Sequence, residues 1–301
     1  MHGVFREGVA VKYRQIESMR QNYPVALMCR TLGVSECGFH AWRNRAPSPR
    51  SQESARLEVE ILAAHRRTRE SYSAERLHSD LADHGVQASP YRVRKLRRKL
   101  GLRCKQKRKF RVTTDSGHKL PVAPNLLNRE FAVTAPNKAW VSDITYIPTD
   151  EGWLYLAGVK DLFNGEVVGH AMSERMGLPL VTQALFRAAS IKRPPPGLIL
   201  HSDRGSQYCA RDYQKLLCQF GMKASMSRKG DCWDNAPMES FWGTLKNELV
   251  HHRKFETRQQ ARQEISEYIE VFYNRQRKQK KLGYLSPAKF TQRYYATRLA
   301  A

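Results

Sequence analysis

Acidic residues are scarce in this chain: 28 Asp and Glu stand against 52 Lys and Arg in 301 residues, a formal net charge of +24. So large an excess argues against an ordinary near-neutral surface and points to a polyanionic partner, most simply nucleic acid. Cysteine is sparse and scattered: Cys29, Cys37, Cys104, Cys209, Cys218 and Cys232 form no Cys-x-x-Cys pair and have no accompanying histidine set. That spacing argues against a structural zinc site. No apolar run approaches the length of a membrane span, and nothing at the N-terminus resembles a signal peptide. The expected setting is the reducing cytoplasm, at the nucleoid, with no membrane partner. A Gly-Lys-Ser/Thr phosphate loop is also missing, which disfavours an ATP-driven enzyme.

What is present divides by pattern into five segments. Residues 1–52 carry a helix-turn-helix signature between Ile16 and Arg45. Val25, Ala26, Met28, Cys29 and Leu32 have helical spacing, Gly33 suits the turn, and Ser35 suits the cap of a helix bearing Phe39, Trp42 and Arg43. A similar arrangement recurs in residues 53–104, where Tyr72–Leu77 opens a helix and Gly85 breaks it. Ser89-Pro90 then starts a basic helix with Tyr91, Val93, Leu96 and Leu100 on its apolar side and Arg94, Arg97 and Arg98 as DNA contacts. Residues 105–136 read as a basic linker, its cations run on from those of the helix before it, and such a block repels itself unless phosphates neutralise it. Residues 137–250 change to β patterning: Ala139–Ile147, Trp153–Asp161 and Val167–Met172, with turns at Asp150–Gly152 and Asn164-Gly165. Continuing through a helix from Pro179, a buried strand from Gly197, a helix from Ala210, a short strand near Met222 and a last helix, the order is βββαβαβα. That order predicts an α/β core with a mixed sheet. Residues 251–301 read as helical, with Thr257 and Gln260 as a capping box and Ala261, Ile265, Ile269 and Phe272 as an apolar stripe.

Three carboxylates stand at element boundaries of this core. Asp143 lies in the β-rich run Lys138–Ile147, Asp203 follows the apolar run Leu198–Leu200, and Glu239 follows the helix-start signal Asp234–Met238. A single Asp after a strand is most often a turn or cap residue, so the combination carries the argument. Hard cations such as Mg²⁺, or Mn²⁺, prefer oxygen ligands and keep open positions for phosphate oxygens. Two such ions about 4 Å apart activate an attacking hydroxyl and stabilise the leaving oxygen of a phosphodiester. Lys246 stands seven residues after Glu239, hence on the same helix face, with Gly243 between them. It is the expected phosphate contact. Arg204, beside Asp203, and Arg228 and Lys229, in the loop before Trp233, are further DNA-contact candidates; for that loop a solvated segment with one packed tryptophan is an equal reading.

The runs Trp140–Ile147, Asp161–Phe163, His201–Tyr208, Ser227–Ser240, Lys246–Glu248 and Tyr273–Pro287 resemble those of the second-reading-frame (OrfB-type) transposases of a large bacterial insertion-sequence family, whose core is related to retroviral integrases. Thirty-five residues separate Asp203 from Glu239, as in that family. The resemblance implies an RNase H-like core and a metal-binding triad of Asp143, Asp203 and Glu239. It also implies double-stranded DNA as partner, both terminal inverted repeats and target, with a homo-oligomer in the synaptic complex and a fusion to an upstream reading frame made by frameshifting. Tyr273, Asn274 and Arg277 match the family's C-terminal pattern, whereas Gln279 stands where it usually has histidine. The resulting expectation is metal-dependent strand cleavage and strand transfer. A catalytically silent helix-turn-helix regulator and a metal-dependent nuclease that cuts without joining are the alternatives.

Overall fold

The computed structural model describes residues 7–105, 121–228 and 232–299, in two compact units that divide at Val59–Glu60. In the first unit α1 (Val9–Met19), α2 (Val25–Leu32) and α3 (Glu36–Asn44) enclose Tyr13, Ile16, Met28, Cys29 and Phe39. Gly33 closes α2 at φ +62°, a left-handed conformation that its missing Cβ makes accessible, and Ser35 Oγ accepts from Gly38 N at 3.2 Å to cap α3. These are the expected turn and cap.

After α4 (Pro49–Arg67), the second unit contains α5 (Ala74–Asp83) and α6 (Pro90–Lys99). Ser89 Oγ caps α6 by accepting from Arg92 N. Two expectations for α6 need correction. Tyr91, placed on the apolar side by its position in the sequence, is 69% exposed. Arg97, expected to contact DNA, turns inward: its Nε is buried, with no hydrogen-bond partner among the described residues, and its Nη2 donates to Cys104 Sγ at 3.3 Å. At 100° per residue the inward face runs through Val93, Leu96 and Arg97, and position 91 lies opposite.

The core sheet has the strand order β3-β2-β1-β4-β5, from β1 (Ala139–Thr149), β2 (Gly152–Asp161), β3 (Val167–Ser173), β4 (Ile199–Ser202) and β5 (Lys223–Met226). β1, β2 and β3 form an antiparallel meander, whereas β4 and β5 add in parallel. The intervening helices are α7 (Leu178–Lys192), α8 (Ser206–Cys209), α9 (Arg211–Gln219) and α10 (Ala236–Glu248). Only the short α8 departs from the expected order. Trp140, Ala157, Leu185, Leu200 and Tyr213 sit in the core between sheet and helices. Gly169 is required there, because a Cβ would stand 2.5 Å from the Ala184 carbonyl oxygen of α7.

Residues 123–129 are not a free tether. Leu126 N and Leu127 N both donate to Ser225 Oγ of β5, and Leu127 is buried. The basic stretch 106–120 lies outside the described residues. Beyond α10, Thr257 caps α11 (Arg258–Glu267), which runs on as a π-helical stretch, Tyr268–Gln276, before α12 (Pro287–Leu299). Gln260 N donates to Thr257 Oγ1, and the Gln260 side chain accepts from Glu256 N, one residue before the expected box partner. The stripe Ala261, Ile265, Ile269 and Phe272 is buried as core. Tyr72 ties α5 to the C-terminal segment: its hydroxyl accepts from Lys278 N at 2.7 Å and donates to Gln276 O at 3.2 Å.

Candidate active site

The parallel register sets the first two carboxylates side by side. Val141 pairs with His201 at the end of the β1–β4 ladder, and Asp143 and Asp203 each follow two residues later on the same side of the sheet. Asp143 Oδ1 accepts from Ile144 N at 2.8 Å and Oδ2 from Trp242 Nε1 at 3.0 Å. Asp203 Oδ1 accepts from Gly205 N at 2.9 Å. Burial first, then the charge of Asp203, pushes the Asp143 carboxyl well above the usual carboxylate range, and the two hydrogen bonds only partly oppose this. The pair is therefore a concentration of negative charge that the fold holds together against its own repulsion.

Glu239 lies on the exposed side of α10, in its first turn, and burial raises its carboxyl. Its charge adds to that of Asp203 at Asp143, as the weakest of the influences there. Among the described residues, no three carboxylate, imidazole or thiolate side chains are gathered closely enough to hold one ion. The structure thus brings Asp143 and Asp203 together, with Glu239 on the neighbouring helix.

Helix α10 is amphipathic: Met238, Phe241, Trp242 and Leu245 face the core, and Glu239, Gly243 and Lys246 lie on the other side. A Cβ at Gly243 would meet nothing within 4 Å, so the helix surface there is open. Lys246 Nζ sits 4.7 Å from the Tyr146 ring centre. Burial lowers its pKa and the Asp143 charge raises it, so the ammonium feels the Asp143 carboxylate.

Residues to which the sequence assigned no bracing role hold this helix in place. Asp234 is fully buried; burial works to raise its pKa, but hydrogen bonds from Arg228 and Arg129 overcome this and hold it well below the carboxylate range. Asn235 Nδ2 donates to Ser142 O at 3.1 Å, beside Asp143. Lys160, 4% exposed on β2, donates from Nζ to Pro237 O at 2.8 Å. Gly158 stands opposite Asp143 in the β1–β2 register, and a Cβ there would lie 2.9 Å from Trp242 Cη2. The bare backbone at this position lets the indole reach Asp143. The local patterns Asp-Asn-Ala-Pro and Ala-Gly-Val-Lys were visible in the sequence, but their partners are distant in it.

Several DNA-contact candidates have partners within the chain. Arg204 Nε donates to Ser227 O at 2.6 Å, Arg228 is engaged by Asp234, and Arg43 lies 3.6 Å from Glu17. Arg94 and Arg98 lie on the exposed side of α6. Trp233 is 68% exposed, so the reading of a packed tryptophan is not met, and Lys229 lies outside the described residues.

The chain matches an integrase core domain model at residues 133–232, a second integrase core domain model at 239–294 and an HTH-like domain model at 52–110. It is 57% identical over 268 residues to the insertion element IS600 uncharacterized 31 kDa protein of Shigella sonnei, covering 89% of this chain and 98% of that one. To transposase InsF for insertion sequence IS3A of Escherichia coli it is 41% identical over 282 residues, covering 93% and 98%. A solved catalytic core domain of BIV integrase is similar at 17% identity over 54% of this chain and 99% of that chain, with a TM-score of 0.43. With an integrase core, a helix-turn-helix-like segment and close relatives along most of its length, the chain belongs to the DDE-type insertion-sequence transposases.

Proposed function

We propose that this transposase cuts one strand at each end of its element and joins the freed 3′ ends to a target, using Asp143, Asp203 and Glu239 as ligands of two divalent ions, Mg²⁺ or Mn²⁺. The observation that carries this reading is the placement of Asp143 and Asp203 by the β1–β4 register, where burial first and the Asp203 charge second raise the Asp143 carboxyl. Such a donor set suits a hard cation, whose charge relieves the repulsion. When bound, the ions supply positive charge to a phosphate under attack.

The chain's own residues supply the geometry. Trp242 and the Ile144 amide fix both oxygens of Asp143, and the Gly205 amide fixes one of Asp203. Glu239 completes the set by rotating its exposed side chain on α10, and Lys246 holds a DNA phosphate that approaches over Gly243. In the first step a water oxygen displaces the element's 3′ oxygen from phosphorus, and that oxygen leaves as a hydroxyl. In the second, this hydroxyl displaces a 3′ oxygen in the target. The first step breaks a phosphodiester by hydrolysis and leaves a 5′-phosphate on the flanking strand; in the second one phosphodiester forms for the one broken, so joining needs no nucleotide hydrolysis.

Two ends must meet in one reaction, which calls for at least a dimer in the synaptic complex. The family resemblance adds fusion to an upstream-frame protein as the active form. The test is a gel assay with labelled element-end duplex and Mg²⁺, comparing wild type with Glu239→Gln and Asp203→Ala. Nicked and joined products with the wild type alone are expected, with DNA binding kept in both variants. Activity retained by Asp203→Ala would overturn the site. Nicking without joining would favour a nuclease, and binding without any cleavage a regulator.

A further inference from the structure

We infer that α6 is the helix that reads element-end sequence and that Tyr91 is its base-contacting residue, an inference that rests on the transposase reading above. The ten residues of α6 sort cleanly by angle. Val93 and Leu96 are buried, and Arg97 follows them inward to Cys104. Opposite them, Tyr91, Arg94, Lys95 and Arg98 follow one another at i, i+3, i+4 and i+7, and all four are exposed. None of the four makes a side-chain hydrogen bond or ion pair among the described residues. At 1.5 Å per residue the stripe is about 10 Å long, which suits a major groove about 12 Å wide.

Tyr91 occupies the first turn of α6, the end from which helix-turn-helix recognition helices address base edges. Ser89 and Pro90 fix that turn. A ring that is 69% exposed does little for the fold. It offers an apolar face to a thymine methyl and a hydroxyl that donates or accepts at a base edge. Arg94, Lys95 and Arg98 flank it with charge for phosphate or guanine.

The corresponding helix of the first unit is built differently. On the exposed side of α3, Glu36 lies 3.9 Å from His40, and Arg43 lies 3.6 Å from Glu17. Its basic side chains His40 and Arg43 have acidic neighbours within the unit, and among the described residues α3 presents no stripe like that of α6.

The test is fluorescence polarisation at several salt concentrations, with a labelled duplex carrying the terminal inverted repeat of the encoding element and a second duplex with that repeat scrambled. Tyr91→Ala is expected to lower the affinity ratio between the two about tenfold with an unchanged salt slope, whereas Arg94→Ala with Arg98→Ala flattens the slope. Tyr91→Phe retains the apolar contact and loses less. Circular dichroism checks that helix content is unchanged. A ratio that survives Tyr91→Ala, or that falls instead with His40→Ala and Arg43→Ala on α3, overturns the inference while cleavage by the wild type stands. A wild type that prefers neither duplex yet cuts also overturns it. Failure to bind or cut either duplex would sink the transposase reading beneath it.

Discussion

Lys160 is the residue most at odds with its surroundings. Burial first, and the Arg277 charge second, bring its amine from an ordinary 10.5 to about 7. The sign of the pH effect follows. Between those values the unfolded chain keeps the proton and the folded chain does not, so stability rises with pH through that window and the gain is lost as pH falls toward 7. Lys160→Met removes this dependence. The denaturation free energy of wild type minus variant should therefore climb with pH above about 7, by at most about 1.4 kcal/mol per unit. Urea titrations across that range check it, and a flat difference would mean that the amine is not held neutral. Residues like this were not legible in the sequence. Asp203 and Glu239 announced themselves because each stands where an element begins or ends, whereas Asp143, expected at a strand end, lies within β1 and was marked by its β-rich run. Lys160, Gly158 and Trp242 owe their roles to partners some eighty to a hundred residues away, as with Lys160 on Pro237 and Trp242 on Asp143. Local spacing does not encode those contacts.

At the scale of the element, α10 is held at both ends. Lys160, Asp234 and Asn235 fix its start, and at its end Glu248 takes a bidentate pair from Arg277, with Nη2 to Oε1 at 2.7 Å and Nε to Oε2 at 2.9 Å. The Tyr268 hydroxyl donates to the same carboxylate at 2.7 Å, and both ionic side chains are only 8% exposed. Removing one partner of such a pair strands the other. Arg277→Met is expected to cost about 3–5 kcal/mol, and adding Glu248→Gln should recover part of it; a double-mutant cycle by chemical denaturation measures the coupling. Additive losses would show that the two act independently. The Tyr273, Asn274 and Arg277 pattern read from the sequence thus has structural work: Tyr273 packs edge-on against Phe241, and Asn274 bonds both Val167 N and Val167 O. Gln279 is buried beside Tyr273. The succession of strands and helices along the chain was legible from periodicity, whereas the order of strands across the sheet, the short α8 and the docking of residues 123–129 on β5 were not, because local repeats do not encode partners distant in sequence.

For the whole molecule, charge sets the terms of DNA binding. A net charge of +24 makes counterion release a large part of affinity. Raising salt from about 50 to about 200 mM should weaken binding to scrambled duplex by about a thousandfold or more if six or more phosphates are contacted. Polarisation titrations read the slope, and a shallow one would mean that most of the cations face protein or solvent. The two-unit division also bears on this, since α6 belongs to the same compact unit as the three proposed metal-binding carboxylates while α3 does not.

The brace on α10 has a consequence in time. A ribosome delivers Glu239 well before Arg277, and until Arg277 arrives Glu248 is a carboxylate with no counter-charge for its buried seat. In order of synthesis all five strands, and both aspartates with them, precede the arginine that braces the helix bearing the third carboxylate. A copy that stopped short of Arg277 would leave Glu248 without its counter-charge and the far end of α10 without its brace.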